Sequence, residues 1–278
     1  IDVLTQEIER LKLGSAVEES EAPKSALGFA PAASKVYEKS PRKISIGGYG
    51  EMVYNNFRGR RQNNAVAATA DKSDFQRAIL YVGYKFNDWI TFNSETEFEH
   101  ASSGKRGEVS VEMAQIDFRP WKAFGVRAGL LLMPVGLVNE FHEPTVFHGV
   151  NRPSVDSNII PTTWRENGAG FFGEIGPVSY KTYLVAGLQA VTDAGATTPV
   201  TGFSSSSALR NARSSGSNSK MEDLASVTRV DISPIEGTSF GASYYFGEAD
   251  QQMAAAHIPV CLWEIHARGQ WRGLELDG

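Results

Sequence analysis

Cysteine is nearly absent. Cys261 is the one thiol in 278 residues, so no intramolecular disulfide can form and stability has to come from packing and closure. Long apolar runs are missing too: nothing approaches the about 18 consecutive apolar residues that a membrane-crossing helix needs, and mean hydropathy is −0.26. Excess positive charge is also lacking. The net charge is −5 and the pI about 5.6, which argues against a nucleic-acid surface. No Ser-His-Asp arrangement, phosphate loop or cysteine cluster is recognisable, so no catalytic residue, metal ligand or cofactor is assigned and the chain is not read as an enzyme. Gly47-Gly48-Tyr49-Gly50 is read as strand glycine rather than a nucleotide loop, because no helix signal follows it.

What the chain does have is alternation. FQRAILYVGYKF (75–86) places Ala78, Leu80, Val82, Tyr84 and Phe86 on one face and Arg77, Tyr81 and Lys85 on the other. After a tight turn at Asn87-Asp88, residues 89–100 return with Ile90, Phe92 and Phe98 against Glu95, Glu97 and Glu99. Further strands are expected at 43–57, 108–120, 124–133, 168–175, 178–189, 225–233, 238–247 and 259–271, with the start of another at the end of the chain. In 108–120 the apolar residues change phase, and a bulge near Met113 would reconcile them. Turns at 87–88, 120–123, 176–177, 234–237 and 272–273 are short; connections at 58–74, 101–107, 134–167, 191–224 and 248–257 are longer. Short and long alternate strictly, as they do in outer-membrane barrels.

One face carries nearly all the charge, basic (Arg77, Lys85, Arg119, Arg127, Lys181, Arg229, Arg268, Arg272) and acidic (Glu51, Glu95, Glu97, Glu99, Asp117, Glu174, Asp231, Glu264). No helices are foreseen that could cover a soluble sheet of this size. Closing the strands around a polar lumen, apolar face to lipid, satisfies both faces. A spanning strand needs only about 9–11 residues. Glycine, at 27 residues, suits the turns, and aromatics near strand ends (Tyr84, Phe86, Trp89, Phe118, Trp121, Phe246, Trp271) suit interfacial girdles. The expected fold is therefore all-β, a transmembrane antiparallel β-barrel over 44–278.

Ahead of it, 1–13 has a helical period (Leu4, Ile8, Leu11) and is read as a short helix or coiled coil. Residues 14–43, rich in Ala, Pro and Ser, are read as a flexible linker. Residues 191–224, rich in Ser, Gly and Asn, are read as a mobile, solvated loop. Loop 134–167 is long and aperiodic, which marks it as functional. Its His142, Glu143 and His148 lack a helix to align them and are read as ordinary polar loop residues rather than a metal site.

The runs Arg127-Ala128-Gly129, Pro134-Val135-Gly136-Leu137, Arg152-Pro153 and Arg165-Glu166-Asn167-Gly168, with the order of strands, resemble the phosphate-selective porin family (porins O and P). The resemblance implies a sixteen-stranded barrel in a Gram-negative outer membrane, a homotrimer, and a third outer loop folded inward as constriction. The third long connection here is 134–167. It carries Arg152 and Arg165 but no lysine, and also Glu140, Glu143, Asp156 and Glu166. The expectation is thus a general porin passing small hydrophilic solutes or ions, in contact with outer-membrane lipid, with Arg77, Glu95, Glu97, Arg127, Glu143, Arg152, Arg165 and Glu166 at the pore lining or constriction. The alternative is a non-conducting barrel that acts as an adhesin or structural protein through its outer loops. About ten to eleven strands are visible of an expected sixteen, and the chain ends LELDG within a strand, so it is expected to be a piece of a longer protein.

Overall fold

Period-two alternation from Ile44 onward folds into eleven strands, each hydrogen-bonded antiparallel to the next in chain order. They are β1 (Ile44–Asn55), β2 (Lys72–Lys85), β3 (Ile90–Glu99), β4 (Val109–Trp121), β5 (Phe124–Leu132), β6 (Arg165–Ile175), β7 (Val178–Ala186), β8 (Leu224–Ile232), β9 (Thr238–Glu248), β10 (Pro259–Trp271) and β11 (Leu274–Asp277). The sheet is an open meander with β1 and β11 at its edges. The computed structural model describes residues 27–278 apart from 103, 105–106, 192–201, 254–256 and 273. The helix expected at 1–13 lies outside the described residues, as does the linker up to residue 26.

The two faces of the sheet invert the pattern of a water-soluble protein. Leu80, Phe98, Leu184, Trp263 and Ile265 are exposed on the outer face, whereas Glu95, Asp117, Arg127, Lys181 and Arg229 are buried on the inner one. Charged residues are almost never fully buried unless paired, so the inner face must supply partners. Aromatics at the short-turn end (Phe86, Trp89, Trp121, Phe124, Trp271) are exposed to the outside, where amphipathic rings sit at a membrane interface.

The phase change in β4 is a bulge. Glu95 pairs with Met113 but Thr96 with Val111, which leaves Glu112 as the extra residue. Two consecutive side chains, Glu112 and Met113, therefore enter the interior.

The inner face is covered by two segments. One is a helix, α1 (Pro31–Tyr37), inside the stretch read as linker. That reading is corrected for residues 27–37: Phe29, Ala33 and Tyr37 are buried with Ile79, Tyr81, Met113 and Leu132 in one apolar cluster. The stretch is too short to show a helical period; proline at the start of the helix, where its missing N–H costs nothing, was its one signal. The other is the connection between β5 and β6, residues 133–164, whose Met133, Val135, Ile160 and Trp164 join the main core with Tyr183, Val185 and Tyr245. The reading of 191–224 as mobile and solvated is corrected where the segment packs on the core, while Ser204, Ser205, Ser206 and Ser217 are exposed as it expects. Ala212 is buried, Gln189 N donates to its carbonyl (2.7 Å), and Ser214 N donates to Glu166 (3.2 Å).

Candidate functional site

Register places like charges opposite each other at two points of the inner wall. Lys181 on β7 faces Arg229 on β8. The bulge in β4 brings Glu112 beside Glu95 of β3. Like charges directly opposite destabilise a sheet, and buried ones more so. The loop after β5 supplies the missing sign at both points. Glu140 accepts from Lys181 Nζ at 2.7 and 2.6 Å and lies 3.9 Å from Arg229. His142 Nε2 lies 3.0 Å from Glu112 and 3.4 Å from Glu95. Its Nδ1 is 3.1 Å from the Asn139 carbonyl, so both ring nitrogens face acceptors and both carry protons in this arrangement. Burial works against the imidazolium, but the carboxylates of Glu95 and Glu112 outweigh it and push the His142 pKa up to about 10.

Glu143 turns the other way, to α1. Ala32 N and Ala33 N donate to its carboxylate at 2.9 and 2.8 Å, and Tyr81 Oη at 3.0 Å. A carboxylate at the start of a helix satisfies free N–H groups and the helix dipole. Three charged loop positions, Glu140, His142 and Glu143, thus bind a cationic wall patch, an anionic wall patch and a helix end. The backbone before α1 lies on the first of these contacts. Gly28 has φ +79°, and a Cβ there would overlap Glu140 Oε1 and Lys181 Nζ.

Asn139 ties the base of the loop. Its Nδ2 donates to the carbonyls of Met133 (2.8 Å) and Trp164 (2.9 Å), and its Oδ1 accepts from Trp164 N (2.7 Å). Replacing it with Ala leaves the buried Trp164 N–H without this partner, at about 1–3 kcal/mol, while the two carbonyls keep bonds from Val135 N and Met133 N (2.8 Å each). Asn139→Ala is therefore expected to lose about 1–3 kcal/mol of unfolding free energy, with Asp a milder change because it keeps the Trp164 N contact. Denaturant titration in detergent checks this; a loss under about 1 kcal/mol would show that the stems hold without it.

The remaining residues singled out from sequence take separate places. Arg77 lies between Glu51 (2.9 Å) and Glu97 (3.2 Å). Arg127 makes a two-pronged pair with Asp117 (2.8 Å on each arm), reaches Leu27 O and Tyr183 Oη, and stacks over Phe172. Arg152 donates to Thr163 Oγ1 (3.2 Å) and lies over Phe147. Arg165 bonds the Thr163 carbonyl and lies 3.9 Å from Glu112. Glu166 is buried against Trp164 Nε1 and Ser214 N. His142, Glu143 and His148 do not converge: His148 instead meets Asp277 at 3.0 Å. Glu112 and Asn139 were missed, and Glu140, Lys181 and Arg229 were seen only as charges. The phase change in β4 was the signal for Glu112; nothing local signals the others.

Residues 46–146 match the family model described as phosphate-selective porin O and P. An uncharacterized protein of Aquifex aeolicus (strain VF5) is 37% identical over 259 residues, which cover 92% of this chain and 56% of that protein; the chain thus spans about half the length of this relative. Among solved structures, a loop L8 deletion mutant of OmpT, an outer membrane protein of Vibrio cholerae, aligns with TM-score 0.37 and 9% identity over 82% of this chain and 78% of that one. A multiple mutant of the Rh. blastica porin aligns with TM-score 0.31 and 11% identity over 84% and 92%. The segment that matches the phosphate-selective porin O and P model thus runs from β1 into the connection after β5 of an eleven-stranded antiparallel meander.

Proposed function

We propose that the chain forms the wall and the inward loop of a passive diffusion channel for small hydrophilic solutes or ions, in a protein that works as a homotrimer in the outer membrane. The observation that carries this reading is the charge-matched seating of Glu140, His142 and Glu143 on the inner face. A loop with that docking stays inside the wall and narrows whatever space the closed barrel encloses, which is how loop 134–167 sets the size limit. Selectivity by charge is weak, since the inner charges pair off: Arg127 with Asp117, Lys181 with Glu140, Arg229 with Asp231. Paired charges present little net field to a passing ion. This favours a general porin over one dedicated to phosphate, and a channel over an enzyme.

Planar-bilayer recording of the full-length protein tests both parts. Step-like currents with a reversal potential near zero in a salt gradient are expected. Absence of current would sink the channel reading and leave the non-conducting adhesin or structural barrel. A strong anion preference would instead show that the inner cations are not neutralised as paired here.

A further inference from the structure

We propose that Glu95, Glu112 and His142 form a binding site for a divalent transition-metal ion, Zn²⁺ being the type case, which clips the inward loop to the wall. The site does not depend on conduction. The three residues come from β3, the bulge of β4 and the loop, and their ligand atoms all lie within 4.8 Å of one another. His142 Nε2 is 3.0 Å from Glu112 Oε2 and 3.4 Å from Glu95 Oε1. Donors about 2.0–2.1 Å from a tetrahedral ion stand roughly 3.3–3.4 Å apart, so little movement is needed to receive one.

Three further observations point to a ligand. Glu95 is 3% exposed, and its Oε1, aimed at the ring, makes no well-formed hydrogen bond, His142 Nε2 standing 3.4 Å away. Buried carboxylate oxygens are rarely left so. The His142 ring is held from behind by the Asn139 carbonyl at its Nδ1, the arrangement that orients histidine in metal sites. Glu112 reaches the interior only because β4 carries an extra residue, and bulges re-aim side chains next to functional sites.

Charge favours the ion as well. Two carboxylates carry two negative charges when ionised in this buried place. With a divalent ion and neutral imidazole, the proton having left Nε2 for solvent, the sum is zero, which burial prefers. One imidazole with two carboxylates suits Zn²⁺ and its borderline neighbours better than Mg²⁺ or Ca²⁺, which take oxygen alone.

The test uses untagged full-length protein in detergent, stripped with chelator and titrated with ZnCl₂. One tight site per chain is expected. It should weaken at least about ten-fold in His142→Gln and in Glu112→Gln. His257→Gln, in a separate group with Glu248 and Asp250, should leave it intact. Zn-edge X-ray absorption of the wild-type protein requires no variant to fold: one imidazole nitrogen with oxygen ligands is expected. No zinc bound, zinc held equally well by His142→Gln, or a shell without imidazole would each overturn the proposal.

Discussion

Glu140→Ala is expected to destabilise the folded protein by about 3–5 kcal/mol, the cost of breaking a buried ion pair from one side. The reason lies in the wall rather than the loop. Lys181 and Arg229 stand opposite each other on β7 and β8 and are 3% and 4% exposed. Arg229 has Asp231 as a second partner, at 2.8 Å. The contacts of the Lys181 ammonium are to Glu140. Without that carboxylate Lys181 is a buried cation beside another cation. The companion Glu140→Ala/Lys181→Met removes both charges and should recover most of the loss, since an apolar side chain of similar length needs no counter-ion. Denaturant unfolding of wild type, both single variants and the double variant closes the cycle. A single-variant loss below about 1 kcal/mol would mean that water reaches the ammonium and that the loop is not sealed against the wall.

The second large effect concerns α1. Phe29→Ser combined with Tyr37→Ser should unseat the segment before β1 and raise single-channel conductance several-fold, because conduction follows the open cross-section. Phe29 and Tyr37 pack at a tilt of 56° with ring centroids 4.8 Å apart, and Tyr37 packs edge-on against Tyr81 at 5.6 Å. Tyr37 Oη also donates to the Ser94 carbonyl at 2.6 Å. Truncating a buried aromatic costs about 3–5 kcal/mol, well beyond what a seven-residue helix can recover by itself. The loss should stay local: neither side chain belongs to the strand ladders, and sub-global opening of weakly held segments is common. Unchanged strand content by circular dichroism together with larger steps is the expected pair of results. Unchanged steps with α1 shown to be released, by protease cleavage within 27–37, would place the helix outside the solute path.

Both effects arise where the sequence was hard to read. Strand positions, the charged inner face and the alternation of short and long connections were legible, because each is a property of a few consecutive residues. The turns between β6 and β7 and between β8 and β9 fall where Gly176-Pro177 and Pro234–Gly237 place them. Even the bulge could be foreseen from the apolar residues changing phase around Met113. The helix at Pro31–Tyr37 could not, since its burial depends on Tyr81 and Met113, which are far away in the chain. The described part of 191–224 misled for a similar reason at three residues: Ser214, Gly216 and Ser219 bond to Glu166 and Asn167, which are far away in the chain.

By itself, then, the sequence determined which residues form strands and which side of each strand carries charge, because side-chain direction in a strand alternates with every residue and needs no knowledge of neighbours. Only the tertiary structure decided which charges meet. Lys181 and Arg229, or Glu95 and Glu112, become neighbours through strand register and one extra residue in β4. Glu140 and His142 reach them because Asn139 closes the loop base and directs the turn inward. Those contacts join residues 30 to 89 positions apart, and no local pattern encodes such a distance.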